Sequence, residues 1–492
     1  MKRDNNKAVA EESLDPDNWQ STRVLGHKMV DDMIDYLKTL SERPVWQSIP
    51  DHVIDHFNGS VPINPEKPED VYREFVEKIL PYPMGNIHPR FWGWILGTGT
   101  VMGAYAEFLA ASINTNNGGG NHVGNYVEKQ VIDWIKEILQ YPASASGVLT
   151  SGCSASNLIG LTVARNMKAG FDIRRKGLQG KPEKMVLYAS EESHSSIQKS
   201  VELLGLGSEA IRLLPVNKFF QIDTTMLSSA IISDRKNGLK PFCVVGVAGT
   251  TNTGSVDDLR SLAKICKREK LWFHVDGAFG AWACLTPKAK KTVAGIELAD
   301  SLALDLHKWM YMPYEIGCIL VREDKQHRKA FSLTPDYLAH GGEMRGVSGG
   351  NLPWFSDYSY ELSRGFRALK AWMSIKEHGS KKYARIIQQN IDQALYLGEL
   401  IKNSPELELS APIALNIVCF RFVPLNSSNL GSDEINKKIA VDLQERGIAV
   451  LTGTIINGNY VLRMANTNHR SRRSDFEILV KEVVSIGKKL LG

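Results

Sequence analysis

The chain has 492 residues, of which 43% are hydrophobic and 23% charged, and a net charge of +5. That composition belongs to a globular protein rather than a disordered or fibrous one. So small a charge on so long a chain, with no arginine-rich stripe, argues against nucleic acid as a partner.

The polar start MKRDNNKAVAEESLDPDNW lacks the apolar core of a signal peptide, and no window approaches the ~18 continuous apolar residues of a membrane span. Residues 1–90 read as an N-terminal helical arm. VLGHKMVDDMIDYLKTL carries apolar residues at helical spacing, and Pro68-Glu69-Asp70 opens a second helix, VYREFVEKIL. Such an arm must pack on something, either the main domain or a second subunit. His52 and His56 in DHVIDH have the i, i+4 spacing of half a metal site. No further ligand cluster follows, so a solvated helix face is expected and no metal is assigned. GTGTVMG (97–103) has the look of a dinucleotide loop but lacks a strand before it and an acid at the right distance after it.

From 91 to 370 helices alternate with short apolar strands. The strands are GVLTS, KMVLYAS, FCVVGVAGT, LWFHVDGA, SLALDL and GCILVRE; the helices between them include SASNLIGLTVARNMKAG, HSSIQKSVELLG and DLRSLAKICKREK. Alternating βα units imply an α/β fold, a mostly parallel central sheet with helices on both faces. Ligands in such sheets sit beyond the carboxyl ends of the strands. Residues 371–492 read as a small C-terminal α+β domain, with helices ARIIQQNIDQALYLGELI and DEINKKIAVDLQERG and strands ALNIVCFRFV and NYVLRMAN. The glycine-rich stretches 115–125 and 340–351 are expected to be loops of the lid type. Six scattered cysteines without a CxxC pair suggest reduced thiols in a cytoplasmic protein.

Four strand ends carry polar groups. TSGCSASN (150–157) turns from a strand into a helix whose free N–H groups attract phosphate, with Gly152 allowing close approach; its Ser and Asn also read as plain helix caps. Asp276 closes the strand of FHVDGAFG, where a carboxylate wants a cation or a donor; a turn is the alternative. His194 in SEESHSSIQKS is either part of a cap or an aromatic plate for a flat ligand. Lys308 in DSLALDLHKWM stands at the mouth of a core strand, where an unpartnered lysine is costly to desolvate. It is either a snorkelling strand-end lysine or a nucleophile toward a carbonyl. Taken in order, a phosphate cup, a stacking histidine, an acid and a lysine match the needs of pyridoxal 5'-phosphate.

At these residues the sequence resembles the group II pyridoxal-phosphate decarboxylases, which include the aromatic amino acid, histidine, glutamate and cysteine sulfinate enzymes. The resemblance runs from about Asp15 to the end, through HPRFWGW, LTSGCSASN, SHSS, VGVAGTTNTGSVDDL, WFHVDGAFGAWA, ADSLALDLHKW and LSRGFRALKAW. It implies the type I aminotransferase-like fold and a homodimer with active sites at the subunit interface, the 115–125 loop reaching toward the neighbour. Lys308 would take up the cofactor's aldehyde and Asp276 would pair with its ring nitrogen. His194 and Ala278 would cover the two ring faces. Cys153 and Ser154 would hold the phosphate with His307 nearby, and Thr251 would lie close to the ring substituents.

The sequence departs from the family's pattern at two positions. Phe355 falls where the aromatic decarboxylases usually carry a loop tyrosine that protonates Cα, an arrangement resembling the family's aldehyde synthases; Tyr337 and Tyr358 are the nearby substitutes. Asp305 stands where an asparagine often approaches the phosphate, and an anion there needs another donor. For the substrate, Phe91, Trp92, Trp94 and Ile95 suggest an aromatic side chain, whereas Arg90 and GCSASN keep acidic amino acids open.

Overall fold

The apolar runs of the middle of the chain are buried on both faces, as strands covered by helices above and below must be. The computed structural model describes residues 11–180, 183–333, 346–347, 349, 354–424 and 431–491. Its larger sheet holds β1 (Ser146–Thr150), β2 (Met185–Ser190), β3 (Ile211–Leu214), β4 (Lys240–Val247), β5 (Trp272–Asp276), β6 (Ser301–Asp305) and β7 (Gly317–Val321). Their order is β1-β7-β6-β5-β4-β2-β3. β3, β2, β4, β5 and β6 run parallel. β7 returns antiparallel between β6 and β1. The sheet is therefore mostly parallel, with the carboxyl ends of β4, β5 and β6 side by side.

A second, antiparallel sheet holds β8 (Leu407–Leu409), β9 (Ile417–Phe422), β10 (Thr452–Ile456) and β11 (Asn459–Ala465), in the order β10-β11-β9-β8. β3, β8 and β10 escape sequence reading because each is short and only partly buried, which leaves no run of buried apolar residues. The helix Ala368–Lys402 spans the boundary expected at 370 and connects the two sheets, with non-helical geometry at Gly379 (φ 68°). Phe91 bridges Val450, and Trp92 stacks on Phe476 at 4.9 Å. This short segment is thus part of the second sheet's core.

The helix Trp19–Lys38 buries none of its residues. Trp19, Val24, Val30 and Ile34 lie exposed on it, and Phe108, Ile113 and Val123 are exposed farther along the chain. Among the described residues no helix is long and apolar enough to cross a membrane. All six cysteines are free thiols.

Three fully buried histidines make stability acid-sensitive. Burial pushes His88 and His274 down to about 4 and holds His327 lower still. Each stays neutral in the fold but takes up a proton on unfolding below its ordinary value of 6.5. The unfolded state then binds more protons, so stability is full above pH 6.5 and falls toward pH 4. The expected slope is about 1.4 kcal/mol per pH unit for each histidine. Urea titrations at pH 7, 6 and 5 check it; a midpoint that does not fall between pH 7 and 5 contradicts it.

Candidate functional site

β4 ends at Val247, β5 at Asp276 and β6 at Asp305, with Val247 and Asp276 in register. Beyond these ends lies a cavity of about 340 Å³. Asp276, Ala278, His307 and Lys308 line it, together with Cys153, Ser154, His194 and Thr251. The structure therefore brings together eight residues that the sequence placed on five separate segments. Asp305, Tyr314 and Glu315 complete the polar wall, and Ile95, Leu96 and Phe279 the apolar one.

The floor is the turn from β1 into the helix Cys153–Lys168. The first N–H groups of that helix have no acceptor within it. Space above the turn is tight: a Cβ on Gly152 would lie 3.3 Å from the His307 ring, and one on Gly97 would lie 1.9 Å from the His307 carbonyl oxygen. The start of GTGTVMG is thus pressed against His307, and Thr100 of that motif caps the helix Val101–Ile113 instead of opening a nucleotide loop.

Asp276 receives three donors. The Asn157 amide donates to Oδ2 at 2.9 Å, and the Ala278 N–H and the Cys153 thiol donate to Oδ1 at 3.1 and 3.4 Å. Burial, with the Asp276 charge adding to it, holds Cys153 well above the ordinary thiol range, so it stays protonated as a donor. His194 caps the helix Ser195–Leu203, its Nδ1 accepting from the Ser196 N–H at 3.2 Å. Burial lowers the pKa of His194 and of His307.

Lys308 is paired with Asp305, Nζ to Oδ2 at 2.8 Å. Burial alone would lower the Lys308 ammonium, but the Asp305 carboxylate outweighs it and holds the group above its ordinary value. The other Asp305 oxygen is buried without a partner among the described residues. This answers the question of which donor Asp305 bonds to: it is the lysine.

Four of the sequence candidates lie away from the cavity wall. Trp94 is about half exposed, in left-handed backbone (φ 49°), and is not part of the cavity wall. Phe355 is buried below the Arg364 guanidinium, 5.4 Å from its ring, and lines a different cavity with Lys136, Asp324 and Tyr358. It belongs to the main hydrophobic core with Tyr358 and is not among the residues lining the Lys308 cavity. Tyr358 donates to Asp324 at 2.7 Å in the same place. Tyr337 lies outside the described residues. Arg90 is also engaged, with the Ile448 carbonyl at 2.7 Å and Asp475 at 3.7 Å. Arg364 binds Asn117 and Leu149 through their carbonyl oxygens and pairs with Glu128, so the 115–125 loop is tied to the end of β1.

Sequence reading missed Asn157, Ser196 and His274, all fully buried. The signal was spacing. Cys153 and Asn157 are i, i+4 on one helix face, and His274 and Asp276 are i, i+2 on one strand face.

The cavity suits pyridoxal phosphate: a free helix start for the phosphate, a carboxylate with oriented donors for the ring nitrogen, and a lysine for the aldehyde. Comparisons agree. The pyridoxal-dependent decarboxylase conserved domain matches residues 50–423. An aromatic-L-amino-acid decarboxylase of Bacillus atrophaeus is 32% identical over 96% of each chain. A phenylacetaldehyde synthase of Arabidopsis thaliana is 28% identical, over 92% of this chain and 93% of the other. Among solved structures, Catharanthus roseus tryptophan decarboxylase in complex with L-tryptophan aligns with a TM-score of 0.86 at 25% identity, over 97% of this chain and all of that one.

Proposed function

Because this chain belongs to the pyridoxal-dependent decarboxylase family and is a pyridoxal-phosphate-dependent amino acid decarboxylase, we propose that it converts aromatic L-amino acids to their amines and CO2. One observation carries the substrate class. Among the described residues lining the cavity, the only lysine or arginine is Lys308, already paired with Asp305, and no arginine is present. An acidic side chain would find no fixed cation there, since Arg90 is held elsewhere. A flat apolar side chain would meet Ile95, Leu96 and Phe279. The names of the relatives, among them the tryptophan-bound structure, lean the same way.

Bound pyridoxal phosphate supplies the electron sink for the carbon–carbon bond that releases CO2. The protein's part is placement. The helix start at Cys153 and Ser154 receives the phosphate, with His307 beside it. Asp276 presents a fixed negative charge to the ring nitrogen. His194 and Ala278 cover the ring faces, and Thr251 borders its edge. Lys308 is the amine that would hold the group's aldehyde. Of the two nearby tyrosines, Tyr358 is bonded to Asp324 in another cavity, and Tyr337 lies outside the described residues.

The exposed apolar residues of the helix Trp19–Lys38, with Phe108, Ile113 and Val123, support a homodimer in which a second copy covers them. Trp94 and the 115–125 loop would then face the neighbour's pocket. A product assay tests the whole reading. The loaded enzyme is offered phenylalanine, tyrosine, tryptophan, glutamate and aspartate in air. Amine equal to CO2 from an aromatic substrate is expected. Fastest turnover of glutamate would refute the substrate class, and aldehyde with matching peroxide would refute the product.

A further inference from the structure

The cavity's two ring-facing groups, Asp276 and His194, are joined behind the cavity wall by one buried chain of hydrogen bonds. Trp272 Nε1 donates to Ser301 Oγ at 2.8 Å, and Ser301 Oγ meets His274 Nδ1 at 2.7 Å. His274 Nε2 meets Asn157 Oδ1 at 2.9 Å. The Asn157 amide nitrogen then donates twice, to Asp276 Oδ2 at 2.9 Å and to Ser196 Oγ at 3.0 Å. Ser196 Oγ lies 2.9 Å from His194 Nδ1.

The direction of this chain has one solution. An indole N–H can only donate, and a carboxylate can only accept. Asp276 therefore requires the amide nitrogen of Asn157 to face it, which turns the amide oxygen toward His274. That oxygen needs a proton on His274 Nε2, and so His274 Nδ1 must accept from the Ser301 hydroxyl. The Ser301 oxygen is left to accept from Trp272, as observed. Along the other branch, Ser196 accepts from Asn157 and its hydroxyl proton points at His194 Nδ1. The Ser196 N–H already makes that nitrogen an acceptor, so the His194 proton is on Nε2. Burial keeps His274 neutral, as the chain demands. Asn157 is fully buried, with both amide protons and its oxygen engaged.

We propose that Asn157 is a positioning residue that sets, through one directed network, both the orientation of Asp276 and the Nε2–H tautomer of His194. It touches neither cofactor nor substrate and acts through the two groups that do. His194 then offers a bound ligand a donor N–H rather than a basic nitrogen. The proposal rests on the reading that both groups face the cofactor ring, but its first test needs no cofactor.

Long-range nitrogen-15 NMR of histidine-labelled, cofactor-free protein reads the tautomers, with His194→Gln and His274→Gln used for assignment. Both histidines are expected neutral and protonated at Nε2 at neutral pH; a protonated Nδ1 at either overturns the network. Asn157→Asp keeps the acceptor for His274 but removes the donor to Asp276 and Ser196. It should weaken pyridoxal phosphate binding by about 10- to 100-fold, the value of a hydrogen bond to a charged group, and shift the His194 signals. Asn157→Asp/Asp276→Asn restores a donor–acceptor pair in reverse. It should recover the thermal midpoint without recovering cofactor affinity. Parental affinity in Asn157→Asp, or recovery of affinity along with stability in the double variant, overturns the role. Failure of the wider reading would appear separately, as a Lys308→Ala enzyme that still turns over substrate while the tautomers stay as assigned.

Discussion

Replacing Lys308 with alanine should lower kcat/KM by at least about 10³-fold, the scale of losing a covalent catalytic group, and abolish the visible absorbance of the loaded enzyme. Lys308 is a largely buried cation, its side chain 21% exposed. Lys308 follows β6 by three residues, and its Nζ is the only lysine nitrogen among the described residues of the cavity. No neighbouring amine can take its place. Alanine leaves Asp305 as a buried carboxylate without its partner, however, and losing one member of a buried pair costs about 3–5 kcal/mol in general. A folding defect could then imitate a chemical one. The double variant Lys308→Ala/Asp305→Asn removes both charges together and should fold with near-parental stability while staying inactive. If the double variant turns over an aromatic amino acid within tenfold of the parent, Lys308 is not the covalent residue.

The same residues show what a sequence can and cannot disclose. Lys308, Asp276 and His194 were legible because each interrupts a pattern: a charge closing an apolar strand has to be paired or functional. The parallel sheet was legible for a similar reason, since strands buried on both faces read as unbroken apolar runs. β3 and β8, short and partly exposed, carry no such run. Asn157 and His274 offered no more than a spacing, for the opposite reason. They are polar groups satisfied inside the core, and nothing in SASN or FHVD says which partner the fold brings to them across more than 100 residues. Position along a loop does not determine which cavity a side chain lines: Phe355 packs with Arg364 and Tyr358 in the main core rather than on the wall beside Lys308. Trp94 shows the same limit at the surface. Its neighbours Trp92 and Ile95 turn into the second sheet and the cavity respectively, while Trp94 faces out in left-handed backbone.

Asp305→Asn should raise the fraction of Lys308 present as free amine at neutral pH by about 10- to 1000-fold, the usual range for removing an adjacent opposite charge. In the parent the carboxylate oxygen lies 2.8 Å from Nζ and stabilises the ammonium against the burial that disfavours it. With asparagine the shape remains and the adjacent charge is gone, so burial is opposed only by the more weakly acting Asp276 and the pKa falls. The other groups facing Lys308 compensate only in part: Cys153 is protonated and His194 and His307 are lowered toward neutrality, while Asp276, held by the Asn157 amide and the Ala278 N–H, still favours the ammonium but acts more weakly than Asp305. The sign is fixed: a lower pKa means more nucleophile at a given pH and a labelling curve displaced to lower pH. Competitive labelling of the cofactor-free protein with an amine-reactive reagent across pH 6–10, read at Lys308 by mass spectrometry, measures this directly. Cofactor loading should accelerate in the same direction, because the amine no longer has to lose a proton held by Asp305. An unshifted labelling curve would mean that the carboxylate does not govern the lysine. Asp305 would then have to be reconsidered as a group that addresses the phosphate, the role its asparagine counterpart suggests.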